Sequence, residues 1–255
     1  MLFKPWLDVP AARHELHDES SDDEQNHPDI SDELYEFSSD KHETESEQII
    51  VLCDKMSFDV MLICAYPLEA ILLACSSHTA QIGSVQVRFK AVQGSLQSIM
   101  CPIMSGEIGN RSVAWIRVRQ VPAQMAYPFA EYLFNILRPK STVILTCLPS
   151  IESEISLLST SSCSLSEDLQ SLLMKPPNYV TGIYAAVISK AELESLSAAL
   201  IAVSAEGIVD HEFVEDEIAT KAATVLGKLL SANSAIELNM AVFRKHQAPH
   251  SSMYV

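Results

Sequence analysis

The sequence predicts an α/β fold: a three-layer α/β/α domain with a mostly parallel central sheet, preceded by a disordered acidic N-terminal segment. Three observations carry this. From Gln48 onward, short aliphatic and β-branched runs alternate with amphipathic segments of helical period. The 255 residues are enough to bury one sizeable core. The acidity is confined to the start of the chain, since residues 15–47 hold 14 of the 33 acidic groups and one basic group, Lys41. That leaves 19 acidic against 16 basic groups elsewhere, so the body is close to neutral. Three regions are expected: a disordered segment over 1–47, one α/β domain over 48–246, and a flexible C-terminal tail over 247–255.

The core begins with "EQIIVLCD" and "SFDVMLICAY", both of strand character. "EAILLACS" follows after Pro67, and the stretch "VMLICAYPLEAILLAC" reads as two buried strands joined by a turn. It is broken by Pro67 and Glu69 and falls short of the roughly 20 apolar residues of a spanning helix. "SVQVRFK" alternates, with Val85, Val87 and Phe89 on one face, which predicts a half-exposed strand near a sheet edge. "SVAWIRVRQ" alternates as well, setting Ala114, Ile116 and Val118 opposite Trp115, Arg117 and Arg119. A helix follows, with Pro122 at its first position, an apolar stripe of Met125, Phe129, Leu133 and Leu137, Arg138 in its last turn and Pro139 as its stop. "STVILTCL" is an apolar run without alternation, a strand covered on both faces, so strand, helix and strand imply a crossover into a parallel pair.

Residues 149–178, Ser-rich and closed by Pro176-Pro177, read as a long surface excursion with one short helix across "SEDLQSLL". "GIYAAVISKAELES" is helical and "LSAALIAVS" is a buried strand. "FVEDEIATKAATVLGKLL" is the strongest helix, with Val214, Ile218, Ala222, Val225 and Leu229 on one face, Asp210 as N-cap and Glu217 four residues before Lys221. "AIELNMAVFRKH" is a weaker helix or strand before a polar spacer.

Composition narrows the function. An acidic, aliphatic-poor segment of net charge −13 repels nucleic acid and anionic membranes, so neither is an expected partner. The six cysteines, without any C-x-x-C pair, read as reduced thiols behaving as small hydrophobes in a cytosolic or nuclear protein. No signal peptide is expected in "MLFKPWLDVP". There is no G-x-S-x-G and no G-x-x-x-x-G-K-[ST], and "GEIGN" lacks the context of a dinucleotide fingerprint. The dispersed histidines form no metal-ligand pair, so neither metal nor cofactor is expected. "DHEFVEDE" at 210–217 is a carboxylate cluster, best read as a solvated first helical turn. Cys147, ending a buried strand, stands where an α/β enzyme could keep a nucleophile, but no His or Asn is assignable beside it. Trp115, Arg117 and Arg119 form either a small binding face, or else an exposed sheet face or a subunit contact. A protein without a recognisable catalytic set is expected to work through its surfaces, not as an enzyme.

The chain ends in Met253, Tyr254 and Val255: hydrophobic residue, tyrosine, any residue, free carboxylate. A penultimate tyrosine offers a flat apolar ring with a hydroxyl, and the carboxylate can pair with a lysine in a receiving pocket. "RKHQAPHSS" supplies a polar leash. These features, with "TVILTC", the Ser-rich loop, "PNYVTGIYAAVISKAELESLSAALIAVS" and the amphipathic helix after it, resemble the proteasome assembly chaperone 1 family over residues 110–255. The family's typical "PAAVLSYC" is here "YAAVISKA", Tyr184 to Ala191. The resemblance implies a non-enzymatic chaperone of the cytoplasm and nucleus that pairs with proteasome assembly chaperone 2. It implies a seat on the outer face of the 20S α-ring, promotion of ring assembly and exclusion of premature regulators. The family's terminal hydrophobic-Tyr-X (HbYX) motif, inserted between α-subunits, maps onto Met253, Tyr254 and Val255. The rival expectation is an α/β hydrolase- or phosphorylase-like enzyme, which requires an ordered pocket with perturbed ionisable groups at the carboxyl ends of the strands.

Overall fold

All six residues of β2 (Val60–Ala65) are buried, as an unbroken apolar run requires. The structure, a computed structural model, describes residues 48–90, 95–119, 121–148, 153–175, 179–207, 212–230 and 236–247. The expected acidic segment, the N-cap at Asp210 and the Met253-Tyr254-Val255 motif lie outside these residues.

Around β2 lie β1 (Gln48–Leu52), β3 (Ser77–Lys90), β4 (Leu96–Ile108), β5 (Arg111–Val118), β6 (Ser141–Leu148), β7 (Ile155–Ser159) and β8 (Ser197–Ser204). They form one eight-stranded sheet in the order β1-β3-β4-β5-β2-β6-β8-β7. β5, β2, β6 and β8 run parallel, whereas the β1, β3, β4 and β7 pairings are antiparallel. The expectation of a mostly parallel sheet is therefore corrected: the sheet is mixed. The reason is connection length. "GEIGN" ends in the two-residue turn Gly109-Asn110 from β4 to β5, with Gly109 at φ 60°, and so short a link can only join antiparallel neighbours. The predicted crossover after β5 does lead to a parallel strand, but β2 lies between β5 and β6.

The helices are α1 (Glu69–Cys75), α2 (Ala123–Leu137), α3 (Glu167–Gln170), α4 (Gly182–Leu193), α5 (Asp216–Leu229) and α6 (Met240–His246). Residues 69–75 are thus a helix and not a second strand. The run "EAILLAC" has no polar period to betray it, and its start is set by the 3-10 turn Tyr66–Leu68 carrying Pro67. The Ser-rich excursion also contains more than loop: β7 pairs with the outer edge of β8 and buries Ile155 and Leu157. α5 starts later than predicted, with Glu215 as N-cap; of the expected stripe Val214, Ala222 and Val225 are buried and Ile218 and Leu229 are partly buried against the same core, which Ala219, Ala223 and Leu226 complete. α2 buries all four predicted stripe residues; Arg138 caps it at φ 38°.

Alternate residues of the strands serve two separate cores. On one face Leu62, Trp115, Leu145 and Ile201 pack with α1, α5 and α6. On the other, Met61, Ile63, Ile116 and Ile144 pack with α2 and α4. Both faces of the parallel strands are covered, as are the Ile108 end of β4 and β7 beside β8. The β1–β3–β4 ribbon has one covered face, and its other face exposes Leu52, Leu96 and Met100. Among the described residues no helix is long and apolar enough to cross a membrane.

Candidate functional site

The predicted tail emerges from α6, and the structure shows how firmly that root is held. Asn239 caps α6 by accepting from the backbone N–H groups of Ala241 and Val242, both at 3.2 Å. Its own N–H donates to the Ala74 carbonyl of α1 at 3.1 Å. One turn on, Phe243 is fully buried against the α1–α5 core. Arg244 Nε donates to Asp216 Oδ2 at 2.9 Å, which joins the last turn of α6 to the first turn of α5. Gln247, the last described residue, donates from Nε2 to the Val214 carbonyl. A helix tied at its cap, its core residue and its last turn is a fixed anchor, and Gln247 is a defined point of departure for the tail.

The carboxylate cluster at 210–217 is part of that anchor. Asp216 takes Arg244, and Glu217 pairs with Lys221 at 2.8 Å, the i, i+4 pair read from the sequence. Lys221 also holds Glu154. Asp216 and Glu217 are thus engaged in surface ion pairs in the first turn of α5, a structural arrangement.

A second candidate lies at the carboxyl ends of the parallel strands. Connections leave β2 and β6 in opposite directions, and there a cavity of about 380 Å³ opens, lined by Ala65, Arg119, Cys147, Thr181, Tyr184 and Glu212 among others. Gly182, at φ 61°, begins α4 beside it. An enzymatic reading would use this crevice with Cys147 as nucleophile. Burial pushes the Cys147 thiol far above its usual range, with the nearby Glu212 charge adding to the effect. A thiol so held favours the protonated form, the weaker nucleophile. Among the described residues no cluster of three or more His, Cys, Asp or Glu could hold a metal ion. All six cysteines are free thiols; burial raises Cys75 to about 12 and Cys101 to about 11.

The pairing of Trp115 with two arginines as an exposed face is corrected. Trp115 is fully buried, its ring against Gly106, where an added Cβ would meet the indole at 3.1 Å. Arg117 binds Glu69 of α1 at 2.7 Å and stacks on Tyr66 at 4.8 Å from the ring centre. Arg119 stacks on the same ring at 5.1 Å and remains exposed. Alternation alone could not distinguish a face open to solvent from one covered by α1.

Comparison with known proteins adds what geometry does not. The family model described as POC1 chaperone matches residues 93–255. The chain belongs to the POC1 chaperone family. No curated protein sequence matches it. Among solved structures it is similar to PbaA of Pyrococcus furiosus, described as an archaeal homolog of proteasome-assembly chaperone. The two share 15% identity at a TM-score of 0.51, covering 79% of this chain and 97% of that one. It is also similar to a Thermoplasma acidophilum protein of unknown function, at 11% identity and a TM-score of 0.50, covering 77% and 83%. These likenesses show a shared fold. In this POC1-family chain the matched span includes α6 and runs on through residue 255, so the anchor and the terminal motif both fall within the family's own region.

Sequence reasoning had the motif but not its anchor. Asn239 before an apolar turn was the available N-cap signal, whereas the partners of Phe243 come from segments distant in sequence.

Proposed function

We propose that this protein is a non-enzymatic assembly chaperone of the 20S proteasome that acts as a heterodimer with proteasome assembly chaperone 2. It binds the outer face of the α-ring, inserts Met253, Tyr254 and Val255 into a pocket between α-subunits, promotes ring formation and blocks premature docking of regulators. The observation that carries this reading is membership of the POC1 chaperone family in a chain whose last residues are hydrophobic-Tyr-X on a rigidly rooted helix.

The division of work follows from magnitudes. Burying Met and Tyr side chains contributes about 3–5 kcal/mol. A charge-assisted bond from the carboxylate adds about 1.5–3 kcal/mol. Association opposes these with about 4–15 kcal/mol, so the tail alone is marginal and the domain adds contact of its own. Once the body is seated, insertion is intramolecular and its effective concentration is set by the leash. At about 3.4 Å per residue, the seven residues from Gln247 to Tyr254 span at most about 24 Å, so the body must sit within that radius of the pocket. On the face of the sheet opposite α6, exposed Tyr127 and Tyr132 of α2 and Leu193 of α4 supply apolar area of the kind a subunit contact buries.

Removal of residues 253–255 is expected to leave thermal unfolding unchanged and to reduce co-purification of α-subunits about tenfold or more. Equal recovery of α-subunits with the truncated chain would refute the insertion. A "HQAPHSSMYV" peptide is expected to capture α-subunits as the free acid and none as the C-terminal amide.

A further inference from the structure

Beyond the tail, and independently of it, the ribbon end of the sheet carries an unused pairing edge. β4 pairs with β3 along its whole length, from Leu96 opposite Lys90 down to Glu107 opposite Ser77. It pairs with β5 only from Ile103 onward, because β5 ends at Val118 and the chain turns away to Pro122 and α2. Past Cys101, which the register sets opposite Val118 at the end of β5, residues Leu96–Met100 have no strand beside them on that side among the described residues. The space β5 vacates is a groove of about 550 Å³ lined by Phe89, Gln97, Ile99, Arg119, Val121 and Pro122.

Exposed edges are normally blunted by charge, bulges or proline, since their free N–H and C=O groups recruit strands. The stretch Leu96–Cys101 has none of these: it is uncharged, and the register shifts of the β3–β4 pair lie elsewhere, near Ser77–Gly83. Pro102 stands only at its end, where pairing with β5 begins. The charges flanking the edge all have one sign. Arg88 lies opposite Ser98 and Lys90 opposite Leu96, while Arg119 lines the groove. Among the described residues no carboxylate is paired with any of the three.

We propose that the free edge of β4 is a strand-addition site for an extended acidic segment of a partner protein. Its backbone would complete the ladder at Leu96–Met100, and its carboxylates would face Arg88, Lys90 and Arg119. A second copy of this chain is the poorer occupant, because antiparallel pairing of two β4 edges brings two sets of these cations together. An acidic strand removes that repulsion, and apolar residues alternating with its acids can enter the groove beside Phe89, Ile99 and Val121.

The test uses the full chain and a labelled peptide, acetyl-Glu-Val-Glu-Val-Thr-Val-Glu-amide, at low salt, with three comparisons. A peptide with Lys in place of each Glu is expected not to bind. A peptide N-methylated at alternate backbone positions is expected to bind about tenfold or more weakly, because it cannot complete the ladder. The triple variant Arg88→Glu, Lys90→Glu, Arg119→Glu, checked for an unchanged melting curve, is expected to lose the acidic peptide and gain the basic one. Bound acidic peptide is expected to slow amide exchange between Leu96 and Met100. Absence of binding by the acidic peptide, equal binding by the N-methylated peptide, equal binding by the basic peptide, or protection confined to another surface would each overturn the proposal. The N-methyl comparison needs no altered protein, so misfolding of the variant does not spare it.

Discussion

At the scale of single residues, Asp59 does the most with one side chain. It stands at the amino end of β2, where the three neighbouring parallel strands begin. Its Oδ2 accepts from the Ser112 backbone N–H at 3.1 Å and hydroxyl at 2.9 Å, and its Oδ1 accepts from Lys140 Nζ at 2.8 Å. Its carbonyl accepts from the Ser141 N–H at 3.2 Å. One carboxylate thereby links β2 to β5 and to the start of β6. The Lys140 bond, then the Ser112 bonds, lower its pKa to about 2. Because the folded value lies below the roughly 3.9 of an unpaired aspartate, the stability it confers is complete above that unfolded value. It is lost as pH falls towards about 2. Asp59→Asn is therefore expected to lower the urea midpoint at neutral pH and to flatten its decline between about pH 5 and 2. An acid limb as steep as the parent's would show that the carboxylate does not couple the strands. Asp168, also lowered to about 2 through Lys228 and Ser166, remains in that variant and keeps part of the slope.

At the scale of elements, β1 owes its place to a residue without a side chain. A Cβ on Gly83 would lie 2.6 Å from the Leu52 carbonyl oxygen and from Cys53 Cβ, so the end of β1 approaches β3 only because position 83 is bare. Gly83→Ala is expected to cost about 1–3 kcal/mol and to raise amide exchange across Gln48–Leu52 while leaving β6 and β8 protected. Uniform exchange throughout the sheet would contradict this. Elements were legible in the sequence where period and punctuation agreed. α2 has its stripe, Pro122 and Pro139, while β6 and β8 are unbroken apolar runs with the composition of covered strands. α1 was hidden because "EAILLAC" is buried nearly all round, so its period leaves no polar mark. β4 was hidden by Ser, Gln and Pro residues that a ribbon with one open face tolerates, and β7 by the serines around it. Of the candidate site, the terminal motif and its family were readable because they are local. The anchor was not, since it is assembled from residues 74, 214, 216 and 239–247.

At the scale of the whole molecule, the tail reading makes fold and binding interdependent through α6. Phe243→Ala is expected to cost about 3–5 kcal/mol in unfolding experiments, the range for removing a fully enclosed phenylalanine. It should also weaken α-subunit recovery although Met253, Tyr254 and Val255 are intact, because a loosened root dilutes the motif near its pocket. Undiminished recovery by a variant destabilised to that extent would show that the root is dispensable. The two-sided construction of the sheet has a consequence for how such engagements combine. α6 packs with α1 and α5, so its last turn lies on the side of the sheet facing away from α2 and α4. If the proposed subunit contact forms over Tyr127 and Tyr132, it lies on the face opposite Gln247 and leaves that point uncovered. On the proposed reading the molecule would act as a bracket, fastened to a companion through one side while the other is threaded into its target.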